Sequence, residues 1–245
     1  MNDQYYYNDI QQIKEILHTS DCAVFFGGAG VSTDSGIPDF RSSTGLYNRS
    51  KDSNEYLLSR QCLLREPQKF FNFYRNNMVY PSAEPNPTHR ALAKLEDAGI
   101  IRAVITQNID GLHQMAGSEN VIELHGTVHE NYCTVCGKVY DREFMLKSNE
   151  IPKCTQCGAI VRPDVVLYGE GLNTEHFFAA QSLIAQADVL IVGGTSLTVN
   201  PAASLVDRFR GKHLIIINKS PTPYDAMAEY VIRASLSEVF EMLVK

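Results

Sequence analysis

Two pairs of cysteines carry the most specific chemical signal in the sequence. Two residues separate Cys133 from Cys136, two separate Cys154 from Cys157, and seventeen lie between the pairs. Each pair can aim two thiolates at one point, and two such pairs complete the tetrahedron that Zn²⁺ prefers. Because four cysteines fill the coordination sphere, we expect one structural zinc with no open position for water or substrate.

The main alternative for this cysteine pattern is a zinc ribbon that binds nucleic acid. Around the cysteines, four basic residues are offset by four acidic ones: Lys138, Arg142, Lys147 and Lys153 against Glu130, Asp141, Glu143 and Glu150. The formal net charge of the chain is −6. Binding to phosphates needs a basic surface, so we expect no direct nucleic-acid partner. An acidic chain is better suited to a basic partner, such as a lysine-bearing peptide.

A glycine turn follows the first apolar run of the chain, at 22–26. Gly28, Ala29 and Gly30 form a turn of the kind that cradles a pyrophosphate between a strand and a helix. Thr33 stands where the dinucleotide fingerprint has its third glycine, and the usual acidic residue about 20 positions further on is missing. An ordinary dehydrogenase is therefore disfavoured. A tight turn with no ligand is the alternative.

Polar residues also follow four other predicted strands. They are Gln107, Asn108 and Asp110 after 100–106, His125 after 121–124, Gly194, Thr195 and Ser196 at the end of 188–194, and Asn218 and Lys219 at the end of 213–218. Taken singly, Asn108 or Asp110 could be a helix cap and His125 a structural histidine. Because carboxyl ends of parallel strands face a common crevice, their convergence predicts a polar ligand as long as a dinucleotide. His125 is the candidate general base.

The elements that must position these residues alternate between strand and helix. Further strands are predicted at 22–26 and 230–234. Helices are predicted from Ile10 to Leu17, after an N-cap at Thr88, at 174–187, from Pro201 onwards and at the end of the chain. This rhythm predicts an α/β fold, with a parallel Rossmann-like sheet covered by helices on both faces.

Two stretches interrupt the alternation of strand and helix. We expect a discontinuous dinucleotide-binding domain over 1–40, 85–125 and 163–245. The helical insertion 41–84 and the zinc-binding insertion 126–162 would together form a small second domain.

Other features of the sequence bear on cellular location and oligomeric state. The N-terminus lacks the cationic start and apolar run of a secretory signal, and the apolar runs are too short to cross a bilayer. Six cysteines then indicate metal ligands or free thiols rather than disulfides. We expect a cytoplasmic protein with no membrane partner. Since no long heptad pattern is present, we expect a monomer.

Taken together, the motifs resemble those of the sirtuin family over nearly the whole chain. They are GAGVSTDSGIPDFR (28–41), TQNIDGLH (106–113), LHG (124–126), the four cysteines, RPDVVLYGE (162–170), GTSLTVNP (194–201) and IN (217–218). The resemblance implies an NAD-dependent protein-lysine deacylase, which transfers the acyl group from lysine to ADP-ribose and releases nicotinamide. NAD would be a co-substrate and an acyl-lysine protein or peptide the partner. Mono-ADP-ribosyltransfer from the same cleft is the alternative activity, and a non-catalytic binding module is a third.

The resemblance also implies roles for individual residues. The implied NAD-binding set is Gly28, Ala29, Gly30, Thr33, Phe40, Arg41, Gln107, Asn108, Ile109, Asp110, His125, Gly194, Thr195, Ser196, Asn218, Lys219 and Ile232. Val165, Tyr168 and Gly169 would flank the acyl-lysine. His125 and Asn108 would be catalytic, with His125 deprotonating a ribose hydroxyl, while Asp110 would hold the nicotinamide carboxamide.

Three positions depart from the pattern of the resembled family. Gly27 replaces a frequent threonine, and Tyr168 introduces a hydroxyl next to the substrate channel. Members that prefer acidic acyl chains carry Tyr-x-x-Arg in the helical insertion, whereas this chain has Tyr74 and Asn77, with Arg75 nearby. The resemblance thus predicts a preference for acetyl or neutral acyl groups over succinyl or malonyl groups.

Overall fold

The computed structural model of the chain describes residues 6–39, 54–147 and 149–245. Within these ranges, six strands form a larger sheet: β1 (Ala23–Gly27), β2 (Ile101–Thr106), β3 (Val121–Glu123), β7 (Val189–Gly193), β8 (His213–Ile217) and β9 (Tyr230–Ile232). Their order in the sheet is β3-β2-β1-β7-β8-β9, and every pairing is parallel. The order of strands reverses next to β1. In such sheets, ligands bind beyond the carboxyl ends of the strands at this reversal.

Successive side chains of the central strands belong to opposite faces of this sheet. Phe25 packs into one hydrophobic cluster, whereas Val24 and Phe26 pack into the other. The same alternation occurs in β7, where Ile191 faces the first cluster and Val192 the second. A strand that is buried on both faces needs apolar residues at every position, which explains why these runs are continuous rather than alternating.

Helices cover both faces, as the sequence predicts. The first face carries α1 (Tyr7–Thr19), α5 (Pro87–Asp97) and α9 (Leu236–Leu243), and the second carries α8 (Thr174–Gln186) and a short 3-10 helix (Ala203–Arg208). The four-residue α6 (Leu112–Met115) follows β2. None of the described helices has the length and apolar character needed to cross a membrane.

A second, three-stranded antiparallel sheet forms the base of a smaller module. Its order is β5-β4-β6, with β4 (Gly126–Cys133), β5 (Val139–Asp141) and β6 (Val161–Val165). The neighbouring helices are α2 (Asn54–Leu57), α3 (Arg60–Arg65), α4 (Pro67–Asn77) and α7 (Arg142–Leu146). Helix α4 and this sheet share one hydrophobic cluster, with Phe70 and Tyr74 on one side and Val128 and Val161 on the other.

The shared cluster supports our proposal that the two insertions form one small domain. The domain boundaries themselves stay a prediction.

Two details of the helices differ from the sequence prediction. Asn86, rather than Thr88, caps α5: its Oδ1 accepts hydrogen bonds from the backbone N–H groups of Thr88 and His89. Pro87 therefore occupies the first helical position, which proline favours. Pro201 does not begin an α-helix. Its carbonyl accepts both the backbone N–H and the hydroxyl of Ser204, three residues on, which gives the tighter 3-10 geometry.

Candidate active site

A cavity of about 830 Å³ lies at the carboxyl ends of the large sheet and extends to the small module. This volume is within the range of pockets that bind small molecules and cofactors. Of the residues predicted to bind NAD or catalyse, those that line the cavity are Ala29, Gly30, Thr33, Gln107, Asn108, Ile109, Asp110, His125, Gly194, Thr195, Ser196, Asn218 and Lys219. Their sequence positions span five strand ends, and the parallel sheet brings them to one opening.

The two glycine turns touch backbone to backbone at the edge of this cavity. The N–H of Gly30 donates to the carbonyl of Gly194 over 2.8 Å, and the N–H of Gly28 donates to the carbonyl of Gly193 over 3.3 Å. A Cβ on Gly30 would lie 2.8 Å from the Gly194 carbonyl oxygen, and one on Gly28 would lie 2.8 Å from the Thr195 Cβ. Close packing between the two turns therefore requires glycine at both positions.

A hydrogen-bonded group of three side chains forms the centre of the cavity. The Asn108 amide donates to the Ser32 hydroxyl (3.0 Å), which donates to Oδ2 of Asp110 (2.7 Å). Oδ1 of Asp110 accepts the backbone N–H of Leu112 (3.0 Å), so this carboxylate also serves the start of α6. Burial raises the pKa of Asp110, and the bonds from Leu112 and Ser32 oppose that shift.

Ser32 was not among the predicted site residues, although it lies in the quoted motif GAGVS. In the sequence, Ser32 could have been recognised as a hydroxyl residue two positions after the glycine turn. Because Ser32 is buried and bonds both Asn108 and Asp110, it fixes the orientation of two side chains that line the cavity.

His125 lies between the large sheet and the small module. Its Nδ1 is 2.9 Å from the carbonyl oxygen of Gln107, a geometry that requires Nδ1 to carry the proton and donate. Nε2 is then the basic nitrogen. Burial lowers the pKa of His125, while the bond to Gln107 partly offsets this by favouring the protonated form. A neutral imidazole with one fixed tautomer can accept a proton at neutral pH.

The far end of the cavity is built by the ends of β7, β8 and β9. The Gln107 amide donates to the Thr195 hydroxyl (3.1 Å) and so links β2 to the second glycine turn. The Asn218 side chain donates to the carbonyl of Ser220 (2.7 Å). Ile232 is fully buried in the core and does not line the cavity, but its carbonyl accepts the backbone N–H of Asn218 (3.0 Å). Ile232 thus helps to position Asn218 through this backbone hydrogen bond and does not face the cavity itself.

The wall next to the small module contains the residues predicted to contact acyl-lysine. Val165, Tyr168 and Gly169 all line the cavity. The N–H of Tyr168 donates to the carbonyl of Leu58, and the Tyr168 carbonyl accepts from the N–H of Arg60, which joins this segment to the helical insertion. Arg162 and Glu170 form an ion pair at 2.6 Å that braces the same segment.

Two buried histidines behind the site were not predicted. The rings of His89 and His113 meet edge to face with centroids 4.7 Å apart, and Nε2 of His89 is 3.5 Å from the Ser32 hydroxyl. Burial lowers the pKa of His89 to about 4 and that of His113 well below its ordinary value, so both are neutral. His113 is the last residue of the quoted motif TQNIDGLH, but the sequence gave neither histidine a role.

The four predicted zinc ligands form one cluster. All four sulfurs lie within 4.8 Å of one another, with Sγ–Sγ distances of 3.4 Å between Cys133 and Cys157 and 3.5 Å between Cys136 and Cys154. A tetrahedron with Zn–S bonds of about 2.3 Å has edges of about 3.8 Å, so the cluster fits one structural Zn²⁺. The Tyr140 hydroxyl donates to the Cys154 sulfur (3.1 Å), a contact that orients this ligand.

Two predicted NAD contacts, Phe40 and Arg41, lie outside the described residues. For the others, the positions above are compatible with a dinucleotide: backbone turns for phosphates, amides and hydroxyls for riboses, and a buried carboxylate for an amide. Their individual roles stay predictions.

Comparison with known proteins gives one consistent result. A family model described as the Sir2 family matches residues 28–201. An NAD-dependent protein deacetylase of Clostridium perfringens is 53% identical over 239 residues, which cover 96% of this chain and 98% of the relative. A protein of the same name from Clostridium acetobutylicum is 51% identical with the same coverage.

Solved structures agree with these relatives. A Sir2 structure with deacetylated p53 peptide and 3'-O-acetyl ADP ribose superimposes with a TM-score of 0.89 at 38% identity and covers 96% of each chain. A Sir2 complex with p53 peptide and NAD⁺ gives a TM-score of 0.84 at 38% identity and covers 95% of each chain. The match in sequence and in fold has one explanation: the chain belongs to the Sir2 family.

Proposed function

We propose that this chain is an NAD-dependent protein-lysine deacetylase that transfers the acyl group of a modified lysine to ADP-ribose. One observation carries the proposal. The candidate base His125, the polar group around Asn108 and Asp110, and the segment containing Val165 and Tyr168 all line one continuous cavity. The relatives named as deacetylases, and the Sir2 structures with acetyl-ADP-ribose and deacetylated peptide, support this activity.

Bound NAD would supply the ribose that accepts the acyl group, together with nicotinamide as leaving group. Asp110 is buried and already engaged by two donors, so it would hold the nicotinamide carboxamide in a fixed orientation. Asn108 would order the water and ribose hydroxyls near the reacting carbon. The apolar surroundings would exclude bulk water and strengthen these polar contacts.

His125 would take the proton from a ribose hydroxyl. Its Nδ1–H is bonded to the Gln107 carbonyl, so Nε2 is the only ring nitrogen with a lone pair for this purpose. The substrate backbone would lie along residues 165–170 and 197–200 by strand addition, which leaves the modified side chain to enter the cavity.

The test is incubation of the protein with an acetyl-lysine peptide and NAD, followed by mass spectrometry. We expect the peptide to lose the mass of one acetyl group only when NAD is present. His125→Ala should lower kcat by about a hundredfold or more, the usual contribution of a general base. His18→Ala on the exposed side of α1 is the matched control and should keep full activity. NAD-independent loss of the acetyl group, or full activity of His125→Ala, would refute the proposal.

The alternative, mono-ADP-ribosyltransfer, uses the same NAD site but needs no acyl-lysine. The same experiment separates the two activities, since a transferase would add the mass of ADP-ribose to a protein instead of removing an acetyl group. The names of the relatives favour deacetylation.

We further propose that the chain acts in the cytoplasm as a monomer. Six cysteines without a disulfide, four of them in a metal-binding cluster, suit a reducing compartment. Cell fractionation tests the location, and sedimentation of the purified protein tests the oligomeric state; a membrane-bound pool or a stable dimer would contradict the respective proposal.

A further inference from the structure

The turn that follows β2 is bonded by residues from the small module. Val128 donates its backbone N–H to the carbonyl of Ile109 over 2.9 Å, and Nε2 of His129 lies 2.9 Å from the carbonyl oxygen of Asp110. Because a carbonyl oxygen only accepts, Nε2 carries a proton and donates it. Two consecutive carbonyls of the turn are therefore bonded by two consecutive residues of β4, in the zinc-binding insertion.

The ring of His129 also packs against the turn. Gly111 has a φ of 72°, in the left-handed region that favours glycine. A Cβ at this position would lie 2.5 Å from Nε2 and 2.7 Å from Cδ2 of His129. The half-buried ring thus occupies the space directly beside the Gly111 backbone. The hydrogen bond to the turn and the packing on it come from the same side chain.

A bulge in β4 explains how this strand reaches the turn. Thr127 pairs with Asp164 of β6, but the next pair is Asn131 with Pro163, so residues 128–130 lie between two consecutive pairs. Proline has no N–H to donate to a sheet, and in sheets it is confined to edge strands and bulges. A bulge commonly redirects a side chain next to an active site. Here it allows β4 to bond the turn after β2 at residues that do not pair with β6.

The residues of the turn belong to the site, whereas His129 acts on the site only through them. Ile109 and Asp110 line the cavity, and among the described residues of β4, Val128 lines it and His129 does not. The carboxylate of Asp110 is bonded by the Ser32 hydroxyl and the Leu112 N–H. Its backbone carbonyl is bonded by His129. Asp110 is thus restrained at both its side chain and its main chain.

We propose that His129 is a positioning residue that holds the turn after β2 in the shape that binds nicotinamide. The inference rests on the proposed function, in which Asp110 holds the nicotinamide carboxamide. A turn that is already ordered loses little conformational freedom when the ligand binds, and this raises affinity. The small module would thereby set the affinity for nicotinamide without contacting it. The sequence gave no sign of this contact, since 19 positions separate His129 from Asp110.

The experiment compares two ligands that differ by the nicotinamide group. Titration calorimetry gives the Kd of NAD and of ADP-ribose, and inhibition of deacetylation by added nicotinamide gives its Ki. His129→Ala should raise the Kd of NAD and the Ki of nicotinamide by about five- to tenfold, as for one lost hydrogen bond. The Kd of ADP-ribose should not change, because ADP-ribose makes no use of the turn's carboxamide site. Equal weakening of both ligands would indicate general loosening of the fold and would contradict the proposal.

Two further variants separate the hydrogen bond from the packing of the ring. His129→Gln retains an N–H donor and should keep most of the discrimination between NAD and ADP-ribose. His129→Phe retains a ring beside Gly111 but cannot donate, so it should behave like His129→Ala. If His129→Phe binds NAD and nicotinamide as the wild type does, the hydrogen bond is not what positions the turn, and the proposal fails.

His176→Ala is the matched control. Nδ1 of His176 lies 3.1 Å from the carbonyl oxygen of Glu123, so this exposed histidine makes the same kind of contact at another strand end. Its removal should leave the Kd of NAD, the Kd of ADP-ribose and the Ki of nicotinamide unchanged. A rise in the Ki of nicotinamide equal to that of His129→Ala would show that the effect is not specific to the turn.

The same measurements distinguish failure of this inference from failure of the proposed function. A wild-type protein without NAD-dependent deacetylation would contradict the proposed function. A wild type that deacetylates and is inhibited by nicotinamide, with the same Ki in His129→Ala at retained zinc content and melting temperature, would overturn only the inference. If His129→Ala lowers the melting temperature, the comparison of His129→Gln with His129→Phe decides, because both side chains fill the space beside Gly111.

Discussion

At the scale of single residues, the imidazole of His125 combines a fixed tautomer with burial. Both conditions follow from its position two residues after the end of β3, where its Nδ1 reaches the Gln107 carbonyl. Burial favours the neutral ring, so the pKa of His125 is lowered from 6.5. A base with a lowered pKa stays deprotonated at more acidic pH than a free histidine.

We therefore expect the acidic limb of kcat/KM plotted against pH to have its midpoint below about 6.5. The measurement is initial-rate deacetylation of one acetyl peptide from pH 5 to 8 at constant ionic strength, with a check at each pH that the protein stays folded. A midpoint at or above the ordinary histidine value would show that burial does not control this group.

His89 makes a related prediction for stability rather than rate. Burial lowers its pKa to about 4 from the 6.5 expected in the unfolded chain. The neutral ring stabilises the fold fully above pH 6.5, and this contribution is lost as the pH falls towards 4, because the unfolded chain then binds the proton first. A shift of this size corresponds to about 3 kcal/mol.

His89→Gln isolates this contribution. Glutamine at this position of α5 can keep the bond to the backbone N–H of Asn86 that the His89 Nδ1 accepts (3.2 Å), but it does not titrate. In urea unfolding experiments, the wild type should lose up to about 3 kcal/mol relative to His89→Gln between pH 6.5 and 4. The difference between the two proteins should be constant from pH 7 to 8. Parallel curves at all pH values would contradict the assignment.

The site residues that the sequence predicted lie at strand ends, whereas those it did not predict act through contacts between distant segments. His125, Asn108 and Asp110 directly follow predicted strands, and the parallel sheet fixes where strand ends lie. Ser32 and His89 act through contacts between distant segments: Ser32 bonds Asp110, which is 78 positions away. Such contacts depend on how α5 and the first glycine turn pack together, and no local pattern of residue types encodes that packing.

At the scale of elements, the two glycine turns pack against each other just beyond the ends of β1 and β7. Gly30→Ala would place a Cβ 2.8 Å from two backbone atoms of Gly194, which cannot move without separating the turns. We expect a loss of about 1–3 kcal/mol in the free energy of unfolding, as for overpacking elsewhere, and a higher KM for NAD. Gly171→Ala is the matched control because its Cβ would have no neighbour within 4 Å. Equal stability of the two variants would contradict the packing argument.

The six strands of the larger sheet were predicted within one or two residues, because strands buried on both faces require unbroken apolar runs. The three strands of the small module, β4 to β6, were not predicted. Further errors occurred at helix starts. The N-cap prediction chose Thr88, whereas Pro87 requires the cap to be one residue before it, at Asn86. After Pro201, the serine at 204 favours a 3-10 turn through its two bonds to one carbonyl. Both outcomes depend on side-chain hydrogen bonds that periodicity does not detect.

At the scale of the whole molecule, the small module has its own hydrophobic cluster, distinct from the two clusters of the large sheet. The zinc cluster lies within that module, since Cys133 and Cys154 pack into it. Loss of the metal should therefore unfold the module while the six-stranded sheet stays intact.

We expect a chelator to abolish deacetylation and to increase hydrogen exchange in β4, β6 and α4, with little change in β1, β2 and β7. Zinc content measured in parallel establishes that the metal has left. Readdition of Zn²⁺ should restore both activity and protection. Activity that persists after proven loss of zinc would rule out a structural role, and simultaneous unfolding of both sheets would show that the two parts are one cooperative unit.

The connection of the small module to the large sheet has a consequence for how the chain tolerates change in length. Gly126, next to His125, pairs with Val165, and the N–H of Val166 donates to the His125 carbonyl over 2.9 Å. The two ends of the zinc-binding insertion therefore lie next to each other, held by the pairing of Gly126 with Val165 and the hydrogen bond from Val166 to His125. Residues added within it, for example between α7 and Cys154, lengthen the loop without moving its ends. Insertions or deletions that break these contacts would displace His125 directly. We therefore expect natural variation in length inside the insertion and none at its two ends.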